Sequence, residues 1–218
     1  MAKARSLPRE PRDRYHFRTK HFEFFFEWAV GTAMHGGMAT GESFHAACRM
    51  KDGDSESWVR AWREMGERVE KRADEALARG HAVTAREAYL RAYCHHRAAT
   101  AFMDPFTDQR LQPYLARARA CFRRAVSLMD GLLEPVEVPY QGTKLPGYFL
   151  KPDLSGDRRR TLLMIGGGDT YVEDLYYSIG PAGVKRGYNV LFVDLPGQGD
   201  LPFRGLYFPV EAEKPMAA

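Results

Sequence analysis

Thr161-Leu-Leu-Met-Ile165, then Gly166-Gly-Gly-Asp-Thr170, and then Asn189-Val-Leu-Phe-Val-Asp194 after an intervening helix-like segment, decide how this chain folds. Each of the two apolar runs holds four consecutive apolar residues between polar or glycine residues, the length of a buried strand rather than of a helix. Between them, the stretch from about Tyr171 to Gly187 reads as a helix interrupted near Pro181. Strand, glycine loop, helix and strand make a βαβ unit, with parallel strands and a right-handed crossover. Just upstream, Val136-Glu-Val-Pro-Tyr140 and Gly147-Tyr-Phe-Leu-Lys151 read as two short strands joined by a loop over Gln141 to Pro146. Residues 134–218 therefore read as an α/β region.

Everything before that region has helical periodicity. Phe22, Phe25, Phe26 and Trp28 are too dense for an exposed helix, so the segment from His21 to Met34 is expected to lie on a core or on a second copy of the chain. Gly31, Gly36, Gly37 and Gly41 then predict a loop. Trp58, Trp62, Met65 and Val69 recur at spacings of four, three and four, with Asp54 or Ser55 as the cap of their helix. Thr84-Ala-Arg-Glu87 has the form of a capping box opening another helix, whose face carries Ala85, Ala88, Tyr89, Ala92, Tyr93 and His96. A last helix opens at Pro113 and runs to about Gly131. The expected organisation is a basic tail over 1–19, a helical bundle over 20–133 and the α/β region over 134–218.

Composition removes several functional classes. The 218 residues are 44% hydrophobic and 28% charged, ordinary values for a globular chain. No apolar run approaches the roughly 20 residues needed to cross a bilayer, and the N-terminus lacks the apolar core of a secretory signal. A cytoplasmic protein is expected. Of the net charge of +4, residues 1–14 supply +3, so no basic stripe is left for a nucleic-acid backbone. Cys48, Cys94 and Cys121 are odd in number, with no Cys-x-x-Cys pair, which points to reduced thiols rather than disulfides. Cys94-His95-His96 looks like a metal motif, but neighbouring helix positions point about 100° apart and no ligand stands at i+4. Neither a metal nor a cofactor is expected.

The glycine loop sits at the carboxyl end of a parallel strand, where open α/β sheets bind ligands. A dinucleotide site would need Gly-x-Gly-x-x-Gly. Gly166 and Gly168 meet the first two positions, but Tyr171 stands at the third, and Asp194 lies 28 positions beyond Gly166 rather than about 20. The better chemistry is acyl transfer or a related hydrolysis, in which this loop lends a backbone N–H to an oxyanion hole.

Asn189-Val-Leu-Phe-Val-Asp-Leu-Pro-Gly-Gln-Gly199, placed after Ile165-Gly-Gly-Gly-Asp-Thr170 and Lys185-Arg-Gly-Tyr188, resembles the fourth strand and following loop of an α/β-hydrolase. Val136 to Tyr140 and Leu145-Pro-Gly-Tyr-Phe-Leu-Lys-Pro152 are similar to that fold's opening strands. Trp58, Trp62, Gly80-His81 and Ala85-Arg-Glu-Ala-Tyr-Leu-Arg-Ala92 resemble the helical region of the 2,6-dihydroxypseudooxynicotine hydrolase-like group, related to the fermentation-respiration switch esterases. The resemblance implies a helical cap followed by the first half of a hydrolase sheet, acting on a small carbonyl-containing substrate by carbon–carbon or ester hydrolysis. In such a site the Gly168 N–H, with that of Gly167 or Asp169, is expected to stabilise the oxyanion, and Tyr171, Tyr93 and His96 are the candidate pocket residues, His96 reading also as a packed, hydrogen-bonded core histidine.

The catalytic triad of such enzymes is not legible here. None of the seven serines has the Gly-x-Ser-x-Gly flanks of a nucleophile elbow, and nineteen residues follow Gly199. In the hydrolase order the strand Thr161 to Ile165 is interior, and without its neighbour it presents an unpaired apolar edge. The chain is therefore expected to be the front portion of a longer or split protein, with Ser, His and acid supplied beyond Ala218 by a C-terminal portion or companion chain. The alternative is a non-catalytic scaffold built on a degenerate hydrolase half. Asp169 is expected to cap the following helix, and Asp194 to hold the Pro-Gly-Gln-Gly turn. His35 and His45 are expected in a surface loop, and the aromatic helix near Phe25 is a candidate homodimer surface.

Overall fold

The computed structural model describes residues 14–217 and divides into two compact units, one up to Ala125 and one from Val126 onward. The expected basic tail falls mostly on residues 1–13, outside the described residues.

Among the described residues, the first unit is built from five α-helices: α1 (Lys20–Gly31), α2 (Thr40–Ala47), α3 (Ser55–Ala78), α4 (Ala82–Ala99) and α5 (Leu111–Val126), the last ending at the unit boundary. Asp54 caps α3 as expected, accepting hydrogen bonds from the Glu56 and Ser57 N–H groups at 3.1 Å. The stripe Trp58, Trp62, Met65 and Val69 is buried along its length. Phe22 and Trp58 pack edge to face with ring centroids 5.1 Å apart, and Phe102 stacks on Phe22 at 4.6 Å. Large rings dominate this core because each removes far more apolar area from water than an aliphatic side chain.

Before α1, the Tyr15, His16 and Phe17 N–H groups all donate to the Glu23 carboxylate, which is 1% exposed. That anion stands in for the backbone carbonyls the turn lacks, and it tucks Phe17 into the aromatic cluster, 5.9 Å from Trp58.

Three local expectations need correction. The glycine-rich stretch is not only a loop, since α2 forms across Gly41. Helix α4 starts at Ala82, so Thr84 lies inside it rather than at its cap; Gly80, at φ +78°, ends α3 so sharply that the next helix begins at once. The strands also run further than expected, because Gln141 and Gly142 both take positive φ and close a two-residue turn.

In the second unit, β1 (Leu133–Tyr140) and β2 (Thr143–Leu150) form that hairpin in the register Tyr140↔Thr143. β3 (Thr161–Ile165), α6 (Val172–Lys185) and β4 (Asn189–Val193) complete a four-stranded sheet in the order β1-β2-β4-β3. β3 and β4 are parallel, and β2 and β4 antiparallel. Helix α6 covers one face. It comes so close that a Cβ on Gly183 would lie 2.6 Å from Val190 Cγ2 and one on Gly180 would lie 3.1 Å from Phe192 Cζ. On the other face, Leu145, Val193, Leu195 and Leu201 form the core. β3 ends the sheet, and Leu163 on it is 49% exposed.

Candidate functional site

The loops that follow β3 and β4 meet at the carboxyl ends of the parallel strands. Gln198, 3% exposed, joins them: its Oε1 accepts from the Leu195 N–H at 2.8 Å and its Nε2 donates to the Gly166 carbonyl. The Gly199 N–H adds a second tie, to the Thr170 carbonyl at 3.2 Å. Glycine is required at both ends of this junction. A Cβ on Gly166 would fall 1.9 Å from Thr170 Oγ1, and one on Gly199 would fall 2.0 Å from Asp194 Oδ2.

Asp194, 1% exposed, sends that oxygen to the Val172 N–H at 3.2 Å, so the acid after β4 anchors the start of α6. Within the turn itself, the Leu195 N–H is taken by the Gln198 amide, whose long side chain spans the turn. Asp169 is not the cap of α6. The helix begins at Val172, and Asp174 reaches back to the Tyr171 N–H at 3.1 Å. Carboxylates at 174 and 194 face the positive end of the helix dipole, the side on which anions are stabilised.

This scaffolding leaves Gly167, Gly168 and Asp169 exposed at the loop's tip. Among the described residues, the N–H groups of Gly167 and Gly168 make no hydrogen bond. Two main-chain donors held on a tied loop at a strand's carboxyl end can receive an anion or a developing oxyanion. Tyr171 stands half-buried at the end of the same loop. Beside it, the Phe208 ring, 60% exposed, lies against Gly168 and Gly197; a Cβ on these would stand 3.2 Å and 2.4 Å from it.

The other two expected pocket residues are interior to the helical unit. Tyr93 packs on Phe122 with centroids 5.4 Å apart, and His96 Nε2 lies 3.0 Å from Glu70 Oε2. His95 is buried too, stacked on Trp62 and bonded through Nε2 to Glu42 at 3.2 Å. Burial opposes the Glu42 anion, but His95, Arg91 and Arg72 outweigh it and hold its pKa below the usual value. His45 is exposed at the end of α2, and His35 is half-buried in a short 3-10 turn. Sequence reasoning missed Gln198. Its signal was a long amide between two glycines at a strand end, where only a buried side chain could satisfy both loops.

The strand order, the parallel β3–β4 pair and the glycine loop after β3 define an α/β-hydrolase scaffold. No family model matches the chain. It is 40% identical over 182 residues to the alpha/beta hydrolase xenA of Xenoacremonium sinensis, and 40% identical over 184 residues to the alpha/beta hydrolase gkaG of Penicillium citrinum. These matches cover 82% and 83% of the chain and 43% of each relative, so the chain spans less than half the length of these proteins. The crystal structure of the 2,6-dihydroxy-pseudo-oxynicotine hydrolase shares the fold with a TM-score of 0.71 at 22% identity, over 86% of this chain and 51% of that one. The chain belongs to the α/β-hydrolase superfamily. Among the described residues, no helix is long and apolar enough to cross a membrane.

Proposed function

We propose that the chain serves in the hydrolysis of a small carbonyl-containing molecule, at a carbon–carbon or ester bond, and that its contribution is the oxyanion loop. The Gly168 N–H, with that of Gly167 or Asp169, receives the charge that develops on the carbonyl oxygen. Tyr171 faces the substrate from the end of the same loop. Nucleophile, acid and histidine come from sequence other than these 218 residues, joined to them or carried by a companion chain that pairs with the open edge of β3. The observation that carries this reading is the pair of exposed N–H groups at Gly167 and Gly168, on a loop tied down by Gln198.

The test is Gly168→Val in the complete enzyme, with a short-chain ester as probe. A Cβ at 168 meets only the exposed Phe208 ring, which can swing aside, so folding is retained. The branched side chain blocks approach to the N–H, and kcat is expected to fall on the order of a hundred- to a thousand-fold, the effect of losing one oxyanion donor. Undiminished turnover would remove Gly168 from the mechanism. The 218-residue chain alone is expected neither to hydrolyse the ester nor to be labelled by a serine-directed fluorophosphonate.

A further inference from the structure

Inside the helical unit, three different helices each lend one metal-binding atom to a single spot. Glu70 on α3, His96 on α4 and Cys121 on α5 have their ligand atoms all within 4.8 Å of one another. His96 and Cys121 are buried, and Glu70 retains a partly exposed flank. We propose that Glu70, His96 and Cys121 form a three-ligand site for a divalent transition-metal ion of the zinc type.

The donor set is the first argument. Thiolate sulfur, imidazole nitrogen and carboxylate oxygen together are the ligands of zinc and cobalt, whereas calcium and magnesium take oxygen alone. Ligand atoms around a tetrahedral zinc stand about 3.3 to 3.8 Å apart, given bonds of about 2.0 to 2.3 Å. The Glu70–His96 pair, at a hydrogen-bond distance of 3.0 Å, opens by a few tenths of an ångström to admit the ion, and the widest pair closes by about 1 Å through the torsions of Cys121 and Glu70.

Pre-positioning is the second argument. The His96 ring lies against Gly66 so tightly that a Cβ there would be 2.6 Å from both its Cε1 and its Nδ1. Glycine at this place in the middle of α3 costs helix stability, and it makes room for the imidazole that faces Glu70.

Charge is the third. Arg117, one turn before Cys121, donates to Glu70 Oε2 and to Glu67 Oε1, both at 2.9 Å. Two carboxylates against one guanidinium leave one net negative charge beside the thiol, which favours a cation there. The remaining charges near Cys121, Asp74 and Arg124, pair with each other at 2.7 Å. Arg117 on the outer side of Glu70 then acts as the orienting partner that ligating carboxylates commonly keep.

The experiment is equilibrium dialysis of the 218-residue chain against zinc, with cobalt(II) as a spectroscopic probe. One zinc per chain and a thiolate-to-cobalt charge-transfer band are expected. Cys121→Ser abolishes the band, Glu70→Gln weakens binding at least tenfold, and Cys48→Ser changes neither. A chain that takes up no stoichiometric zinc, or a cobalt spectrum untouched by both Cys121→Ser and Glu70→Gln, overturns the site. Should Cys121→Ser fail to fold by circular dichroism, the wild-type band and the Glu70→Gln affinity decide alone.

Discussion

Replacing Gln198 with leucine removes the staple between the two loops while nearly preserving side-chain volume. The change strands the Leu195 N–H, in a buried residue, and the Gly166 carbonyl, in a half-buried one. A buried donor left without a partner costs about 1–3 kcal/mol, and the carbonyl, within reach of water, falls at about 1 kcal/mol, for a total of about 2–4 kcal/mol. The extra apolar surface that leucine buries returns part of this, leaving about 2–3 kcal/mol. Hydrogen exchange of peptides spanning residues 161–200 reads this loop directly. At about 1.36 kcal/mol per tenfold, amides around residues 166–174 should lose protection by about 30- to 150-fold. Gln198→Glu sharpens the test. Its carboxylate still accepts from Leu195 but cannot donate to Gly166, so its defect is largest at neutral pH and shrinks on acidification as the carboxyl gains a proton to donate. Unchanged protection in Gln198→Leu would refute the claim that this side chain holds the candidate oxyanion loop.

Glu23→Gln leaves one acceptor oxygen where three N–H groups converge. Urea unfolding followed by tryptophan fluorescence should show a loss of about 2–3 kcal/mol, since hydrogen bonds to charged acceptors contribute about 1.5–3 kcal/mol each; a change under about 0.5 kcal/mol would contradict the cage seen around residues 15–17. Native alkylation with iodoacetamide should modify Cys48 alone, because Cys94 and Cys121 are buried and burial pushes the Cys121 thiol up to about 12; rapid labelling of all three thiols would refute that packing. The lowered Glu42 pKa, set against His95, Arg91 and Arg72, contributes stability that is fully present above the usual glutamate value of 4.5 and is lost as pH falls through the lower folded value. Acid unfolding of Glu42→Gln should therefore be less steep across that range than that of the wild type, and parallel curves would speak against the pairing.

Elements built from near neighbours were legible in the chain itself. The α3 stripe from Trp58 to Val69, its Asp54 cap, the two five-residue strands and the glycine loop follow from periodicity and turn chemistry, which act over a few residues. Tertiary contact decided what lies at each element's far side. It buried the carboxyl half of α4 on nearly every face, so Cys94, His95 and Arg97 joined the expected stripe. It also set Gln198 across 32 positions onto Gly166, and brought Glu70 and Cys121 to His96 from helices on either side of α4 in sequence. Spacing along the chain had argued against a metal at Cys94-His95-His96, because one helix cannot aim adjacent side chains at one point, whereas three helices packed together can. Local pattern specifies which residues face inward; only packing specifies which of them meet.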